Sequence, residues 1–348
     1  MKRILPIVAV LCLLLTACRG LHSLRMRVGD AAITLDSRYA KLPPDSAGHP
    51  SIGVAGVFAG MLQGRLAVIG GANFPNGLPK AGGKKVWHRT LSLFDGKRWE
   101  QIPDFWPQPV AYGISITLPQ GVLCIGGCNS DSCMSACTLL QIEGGHPSLL
   151  SYPALPQPMA NGCGALVGDS LVLVAGGQST MQEYAATRRL YCLNLHHLDE
   201  GWQQCPAWPG GERGYGVAIG TADRFYLFSG RNYDKEEHWT VWSDGYCYNP
   251  SNGQWSNLEC NIPVMAGCGC ALNDSTLLFV GGRTPQSNVG VNFVRTYNRR
   301  SGTLSSCDLG SYPLPVTTTL VQGDDCIYIV SGEVAPGIRT PYIYRIVP

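Results

Sequence analysis

Residues 65–71 read Arg-Leu-Ala-Val-Ile-Gly-Gly, and the chain returns to that shape five more times. The copies are Gly-Val-Leu-Cys-Ile-Gly-Gly at 121–127, Leu-Val-Leu-Val-Ala-Gly-Gly at 171–177, Arg-Phe-Tyr-Leu-Phe-Ser-Gly at 224–230, Thr-Leu-Leu-Phe-Val-Gly-Gly at 276–282 and Cys-Ile-Tyr-Ile-Val-Ser-Gly at 326–332. The closing glycines Gly71, Gly127, Gly177, Gly230, Gly282 and Gly332 follow one another at 56, 50, 53, 52 and 50 residues. A short apolar run that stops at Gly reads as a buried strand. Recurrence at a period near 50 marks one supersecondary unit stacked six times, each copy burying its faces against its neighbours.

Other segments keep step with the doublets. A small-residue segment precedes each one, with Gly56, Gly113, Gly164, Gly216 and Gly269 in the first five and Thr319 in the sixth. This reads as an innermost strand, where small residues let backbones converge. After the doublets come a further strand and then one opening on an aromatic residue or Leu, as in Trp99-Glu-Gln-Ile-Pro103 and Trp202-Gln-Gln-Cys-Pro206. The last repeat runs out after three strands, and Tyr39-Ala-Lys-Leu-Pro43 supplies the missing fourth form ahead of the first repeat. The doublet and its period resemble the kelch repeat of β-propellers. The expected fold is therefore all-β, a single six-bladed kelch β-propeller over residues 32–348. An N-terminal strand completes the C-terminal blade and leaves no open sheet edge.

Of 348 residues, 43 are Gly and 24 Pro, while 14 % are charged and 45 % hydrophobic, which excludes a disordered or coiled-coil chain. Residues 1–17 carry Lys2 and Arg3 ahead of an apolar run and read as a signal peptide. Beyond them 24 basic residues face 24 acidic ones, so no electrostatic footprint for nucleic acid is expected. Leu15-Thr16-Ala17-Cys18 resembles the bacterial lipobox, which implies lipidation at Cys18. The expectation is an exported lipoprotein of the cell envelope, with residues 18–31 as a tether and membrane contact through the anchor alone. The spacing of Cys124, Cys128, Cys133 and Cys137 admits a metal knot, but Cys124 sits within an apolar strand and no metal is expected. Cys192 with Cys205, and Cys247 with Cys260, lie thirteen residues apart in successive repeats, as candidate disulfides or as buried free thiols.

In a four-stranded antiparallel blade, the loop after the second strand and the loop into the next blade emerge on one face. The residues after the doublets, Ala72, Cys128, Gln178, Arg231, Arg283 and Glu333, should therefore ring one mouth of the central channel. Asn73 and the approach-loop residues Tyr112, Asn161, Glu212, Arg213 and Tyr215 join them there. Two cations, a carboxylate and an amide suit a small, anionic, polyhydroxylated ligand. The sharpest element is Gly332-Glu333-Val-Ala-Pro-Gly-Ile-Arg339-Thr340, where a Pro-Gly turn folds Arg339 back on Glu333. Taken alone, that pair reads first as a cross-strand ion pair, with a base beside a cationic partner as the other reading.

This segment resembles the Gly-Glu-x-x-Pro-Gly-Leu-Arg-Thr motif of the bacterial sialic acid mutarotases, or N-acetylneuraminate epimerases, themselves kelch propellers. Gly53-Val-Ala-Gly-Val-Phe-Ala-Gly60, the Lys84-Lys85 pair and Ala111-Tyr112-Gly113 agree with that family as well. The Glu-bearing blade comes last here, as in the family's cyclically permuted branch; Val110 departs from the family's usual Arg. The resemblance implies interconversion of the α and β anomers of N-acetylneuraminate, with Glu333 as proton acceptor and Arg339 as its partner. Arg339, Arg231, Arg283 or Arg213 would hold the substrate carboxylate, with Gln178 and Asn73 as further contacts. Tyr215, Tyr112 or a water would supply the acid. No metal, nucleotide or redox cofactor is called for, and the partner is a small sugar acid. The alternative is a surface-tethered, non-catalytic sialoglycan-binding propeller.

Overall fold

A computed structural model describes residues 22–45, 47–181, 185–233, 239–284 and 290–348; the leader and Cys18 lie outside the described residues. The chain forms a six-bladed β-propeller of antiparallel sheets. The first blade runs from the axis outward as Phe58–Leu62, Arg65–Ile69, Leu91–Phe94 and Trp99–Ile102. Its apolar doublet strand is the second of the four and is buried on both faces, which explains the continuous hydrophobic run. The inner strands Phe58–Leu62, Ile114–Leu118, Cys163–Val167, Val217–Gly220, Cys268–Ala271 and Thr319–Gln322 adjoin in succession, the last beside the first.

The hydrophobic cores lie between neighbouring blades. Leu66, Val68, Val321, Val330 and Ile343 seal the last blade to the first, and Ile116, Leu123, Val172 and Leu193 seal the second to the third. Each such side chain contributes about 1.5–3 kcal/mol when fully buried. The doublets add a hydrogen bond across five of the six seams. Gly71, Gly127, Gly177, Gly230 and Gly332 donate their amides to Val110, Met159, Arg213, Val264 and Val54 of the adjoining blade at 2.7–2.9 Å. Both doublet positions have positive φ, for example 64° at Gly70 and 87° at Gly71, a conformation that Gly adopts without strain. Ser229 and Ser331 hold the same conformation at the two exceptions, and the Ser331 hydroxyl donates to Val54 at 2.8 Å.

Around the axis runs a closed ring of six backbone hydrogen bonds. Gly56 donates to Thr317, Thr317 to Ala266, Ala266 to Tyr215, Tyr215 to Asn161, Asn161 to Tyr112, and Tyr112 to Gly56, all at 2.7–2.9 Å. Every member has a φ between 50° and 66°. Five of the six are not Gly, and such positive φ is uncommon and concentrates at functional sites.

At the seam, Ala31–Lys41 pairs with the final strand Tyr342–Val347, placing Ala40 opposite Ile343 and Lys41 opposite Tyr342. The strand that closes the blade thus begins earlier than Tyr39 and bulges between Asp36 and Ala40. The expected tether differs more. Ser23–Val28 folds back on Ala31–Lys41 as a fifth strand of the last sheet. A two-residue Gly29-Asp30 turn joins them, and Val28 is buried in the core between the last two blades.

The candidate disulfides are free thiols. Cys192 faces Gln203 and Cys205 faces Leu190, a diagonal offset that still lets the two thiols hydrogen-bond, whereas Cys247 faces Ser256 and Cys260 lies past the end of Gln254–Leu258. No helix among the described residues is long and apolar enough to cross a membrane.

Candidate functional site

The six residues that follow the doublets occupy equivalent places. Each makes an antiparallel bridge to the loop approaching its own blade: Ala55 with Ala72, Ala111 with Cys128, Ala160 with Gln178, Gly214 with Arg231, Met265 with Arg283, and Val316 with Glu333. All but Ala72 line one cavity of about 290 Å³ at the axial mouth. Tyr112, Asn161, Ala266, Tyr215 and Thr317 of the hydrogen-bonded ring also line it. Fixed backbone therefore sets where these side chains start.

Glu333 stands at the centre of the charged side. It opens the short strand Glu333–Ala335, and the hairpin puts it opposite Arg339 of Ile338–Arg339. Arg339 Nη1 donates to one carboxylate oxygen, and Arg283 Nη2, from the neighbouring blade, donates to the other. The three side chains are 14 %, 4 % and 21 % exposed for Glu333, Arg339 and Arg283, so these are charge-assisted bonds in a largely dry setting. A carboxylate has about four lone-pair sites, so each oxygen keeps capacity to accept from a ligand. The Nε atoms of Arg283 and Arg339 are buried and have no hydrogen-bond partner among the described residues.

The two tyrosines divide the floor. Burial pushes the Tyr112 phenol up to about 12 despite the opposing charge and hydrogen bond of Arg339, with Glu333 also near enough to act on it. Tyr215 is likewise raised by burial, opposed chiefly by Arg231 and also by Lys85. Arg231 is itself stacked between rings, 4.5 Å from Tyr215 and 4.0 Å from Trp239. Asn161 donates to Gln178 at 2.7 Å, which joins these two floor and rim residues.

Two expected site residues face elsewhere. Arg213 is 1 % exposed, and its guanidinium forks onto Asp244 at 2.7 and 3.0 Å while also donating to the Ser229 carbonyl. Trp208, Trp242 and Tyr246 surround it. It is a strut inside the fourth blade, and its charge is spent there. Asn73 is also turned away, donating to the Gly53 carbonyl and bonded to His88 Nε2, both at 2.9 Å. It lines a separate groove of about 690 Å³ beside the first blade.

The structure adds wall residues that sequence reading did not assign to the site. Lys85, Trp87, Met181, Trp239 and Met265 line the cavity, Lys85 and Trp87 from the stretch paired with Ala72–Asn73. Lys85 Nζ lies 5.9, 5.4 and 5.1 Å from the ring centres of Phe74, Trp87 and Tyr112. The available signal was the Glu333–Arg339 hairpin itself: wherever a doublet leads into a hairpin, its returning strand also faces the mouth. No cluster of three or more His, Cys, Asp or Glu residues poised for a metal occurs among the described residues.

A family model described as N-acetylneuraminate epimerase matches residues 152–291. The chain is similar to proteins named N-acetylneuraminate epimerase. Proteins so named resemble it from Pasteurella multocida (32 % identity over 133 residues, 38 % of this chain and 33 % of that protein). Those from Salmonella typhimurium share 26 % over 232 residues, covering 56 % of this chain and 58 % of that protein. Those from Haemophilus influenzae share 26 % over 225 residues, 55 % and 57 % of the two chains. The chain thus spans from about a third to under three fifths of the length of the curated relatives it matches. The matched family segment holds Gln178, Tyr215, Arg231 and Arg283 and ends before Glu333 and Arg339.

Proposed function

We propose that this protein is a mutarotase that accelerates exchange between the α and β anomers of N-acetylneuraminate. The observation that carries the reading is Glu333, a carboxylate held by guanidinium groups from two sides at the mouth of a small cavity and beside a buried phenol. Glu333 takes the proton of the anomeric hydroxyl while the bond between the anomeric carbon and the ring oxygen breaks. The ring oxygen receives a proton from Tyr112, and the open keto form results. Rotation presents the other face of the carbonyl, the same hydroxyl attacks it, and the two protons return along the same route. No net electron transfer occurs, and general acid–base assistance of about 10²–10⁴-fold is enough for a reaction that already runs unaided. The relatives' name supports the substrate class. The leader and Cys18 support action as a lipid-tethered exported protein.

The test is proton NMR of freshly dissolved N-acetylneuraminate with and without protein. Anomer exchange should accelerate, and Glu333→Gln should remove the effect by about 10²–10⁴-fold with circular dichroism unchanged. Binding of the sugar without acceleration by the wild type would instead identify a lectin-like propeller.

A further inference from the structure

We propose that Lys85 is the group that binds the substrate's carboxylate, and so selects acid sugars over neutral ones. The proposal rests on the mutarotase reading above and assigns its specificity. Four cations line the cavity: Lys85, Arg231, Arg283 and Arg339. Arg283 and Arg339 each give a donor to Glu333, and Arg231 is packed between two rings and hydrogen-bonded to Tyr215. Arg213, the remaining candidate, is forked onto Asp244 outside the cavity. Lys85 is different: among the described residues no carboxylate lies within ion-pair distance of it, and its neighbours are the faces of Phe74, Trp87 and Tyr112. Rings attract an ammonium and fix its position, but they do not neutralise it or supply strong acceptors for its three N–H donors.

Position argues the same way. The carboxylate and the anomeric hydroxyl of a 2-keto sugar acid hang on one carbon, so the groups that bind them must converge. Lys85 sits 5.1 Å from the Tyr112 ring centre, and Glu333 and Arg339 act electrostatically on the same phenol. Lys85 also acts on Tyr215 and on Cys128, which places its charge over the floor of the cavity rather than at its outer edge. An ammonium here can hold the carboxylate while Glu333 addresses the hydroxyl on the same carbon.

The experiment compares N-acetylneuraminate with its neutral methyl ester, using wild type, Lys85→Met and Lys85→Arg and following anomer exchange by NMR. The wild type should prefer the acid in kcat/KM. Lys85→Met should lower that acid-over-ester ratio by about 10- to 100-fold, mainly through KM for the acid, and Lys85→Arg should restore part of it. A ratio unmoved by Lys85→Met, or equal losses on both substrates, overturns the assignment while leaving the mutarotase reading intact. A wild type that accelerates neither substrate overturns both.

Discussion

Arg283 and Glu333 stand at equivalent positions of neighbouring blades, each one residue past its doublet, and the guanidinium of the first holds the carboxylate of the second. The proposed base is therefore oriented by two blades, because its other donor, Arg339, comes from its own hairpin. The seam between the fifth and sixth blades thus bears directly on the reaction.

Removing the Arg283 charge should let Glu333 swing toward Arg339 alone. Arg283→Met is expected to lower kcat by about 10- to 100-fold, the size of one lost charge-assisted hydrogen bond. Arg283→Lys should recover less than half of that loss on a logarithmic scale, since a point charge lacks the planar fork. Single-turnover NMR with matched circular dichroism separates this from unfolding; a variant with wild-type kcat would show that Arg339 orients the base unaided.

The architecture was legible because a propeller repeats one arithmetic. Two consecutive positive-φ residues after a buried strand need Gly or a small substitute, so Gly70-Gly71 and its five counterparts survive as a visible period. The rim was legible for the same reason: Cys128, Gln178, Arg231, Arg283 and Glu333 lie at a fixed offset from those glycines and reach one cavity. The opposite wall has no such offset. Trp87 returns fifteen residues after Ala72, Arg339 only six after Glu333, so hairpin length hides which residue faces back. Arg213 misled because a charge in an approach loop can turn to the mouth or into the blade. Its partner Asp244, 31 residues on, decides which. The strand Ser23–Val28 was missed although its alternation and Gly29-Asp30 turn form a hairpin signal; its nearness to the leader made it read as a tether.

The Arg213–Asp244 pair should appear in stability and not in substrate binding. Burial of the Asp244 carboxyl pushes its pKa up, but the Arg213 fork and the Tyr246 hydroxyl outweigh it and leave the group below its ordinary value. A depressed carboxyl contributes stability that is fully present above its unfolded pKa, near 4, and is lost as pH falls through the lower folded value. Arg213→Met should destabilise by about 3–5 kcal/mol at pH 7, because it strands a partly buried carboxylate. For Asp244→Asn, the gap in Tm from the wild type should narrow between pH 5 and pH 2. KM of the folded fraction should not move in either variant; a raised KM would return Arg213 to the site.

The thiols should react very unequally. The Cys192 thiol donates to Cys205 and draws its pKa down to about 7; burial opposes this, and a hydrogen bond from the Tyr248 hydroxyl assists. Burial instead holds Cys128 up at about 12 and raises Cys133. Since the thiolate is the nucleophile, iodoacetamide at pH 7.5 should label Cys205 first, with a rate that rises through a midpoint below the ordinary thiol value. Peptide mapping reads the site directly. Cys192→Ser retains a hydroxyl donor and should keep much of the effect, whereas Cys192→Ala should move the midpoint toward the ordinary thiol value.

Tyr112 and Tyr215 compete for the role of acid, and their surroundings separate them. Tyr112 lies within electrostatic reach of Glu333 and is hydrogen-bonded to Arg339, whereas Tyr215 belongs to Arg231. With burial raising Tyr112 to about 12, its phenol stays protonated across the working range and loses its proton only as pH climbs through that value. The proton it lends during ring opening is therefore present at pH 7, and kcat should show no decline due to Tyr112 between pH 7 and pH 10. Tyr112→Phe should lower kcat by about 10²–10⁴-fold, the usual span of general acid assistance. Tyr215→Phe should chiefly raise KM, since it keeps the ring beneath Arg231 but removes the hydroxyl that is hydrogen-bonded to it. NMR exchange rates measured from pH 6 to pH 10 on both variants decide the matter: equal kcat losses, or a larger one for Tyr215→Phe, would transfer the acid to Tyr215.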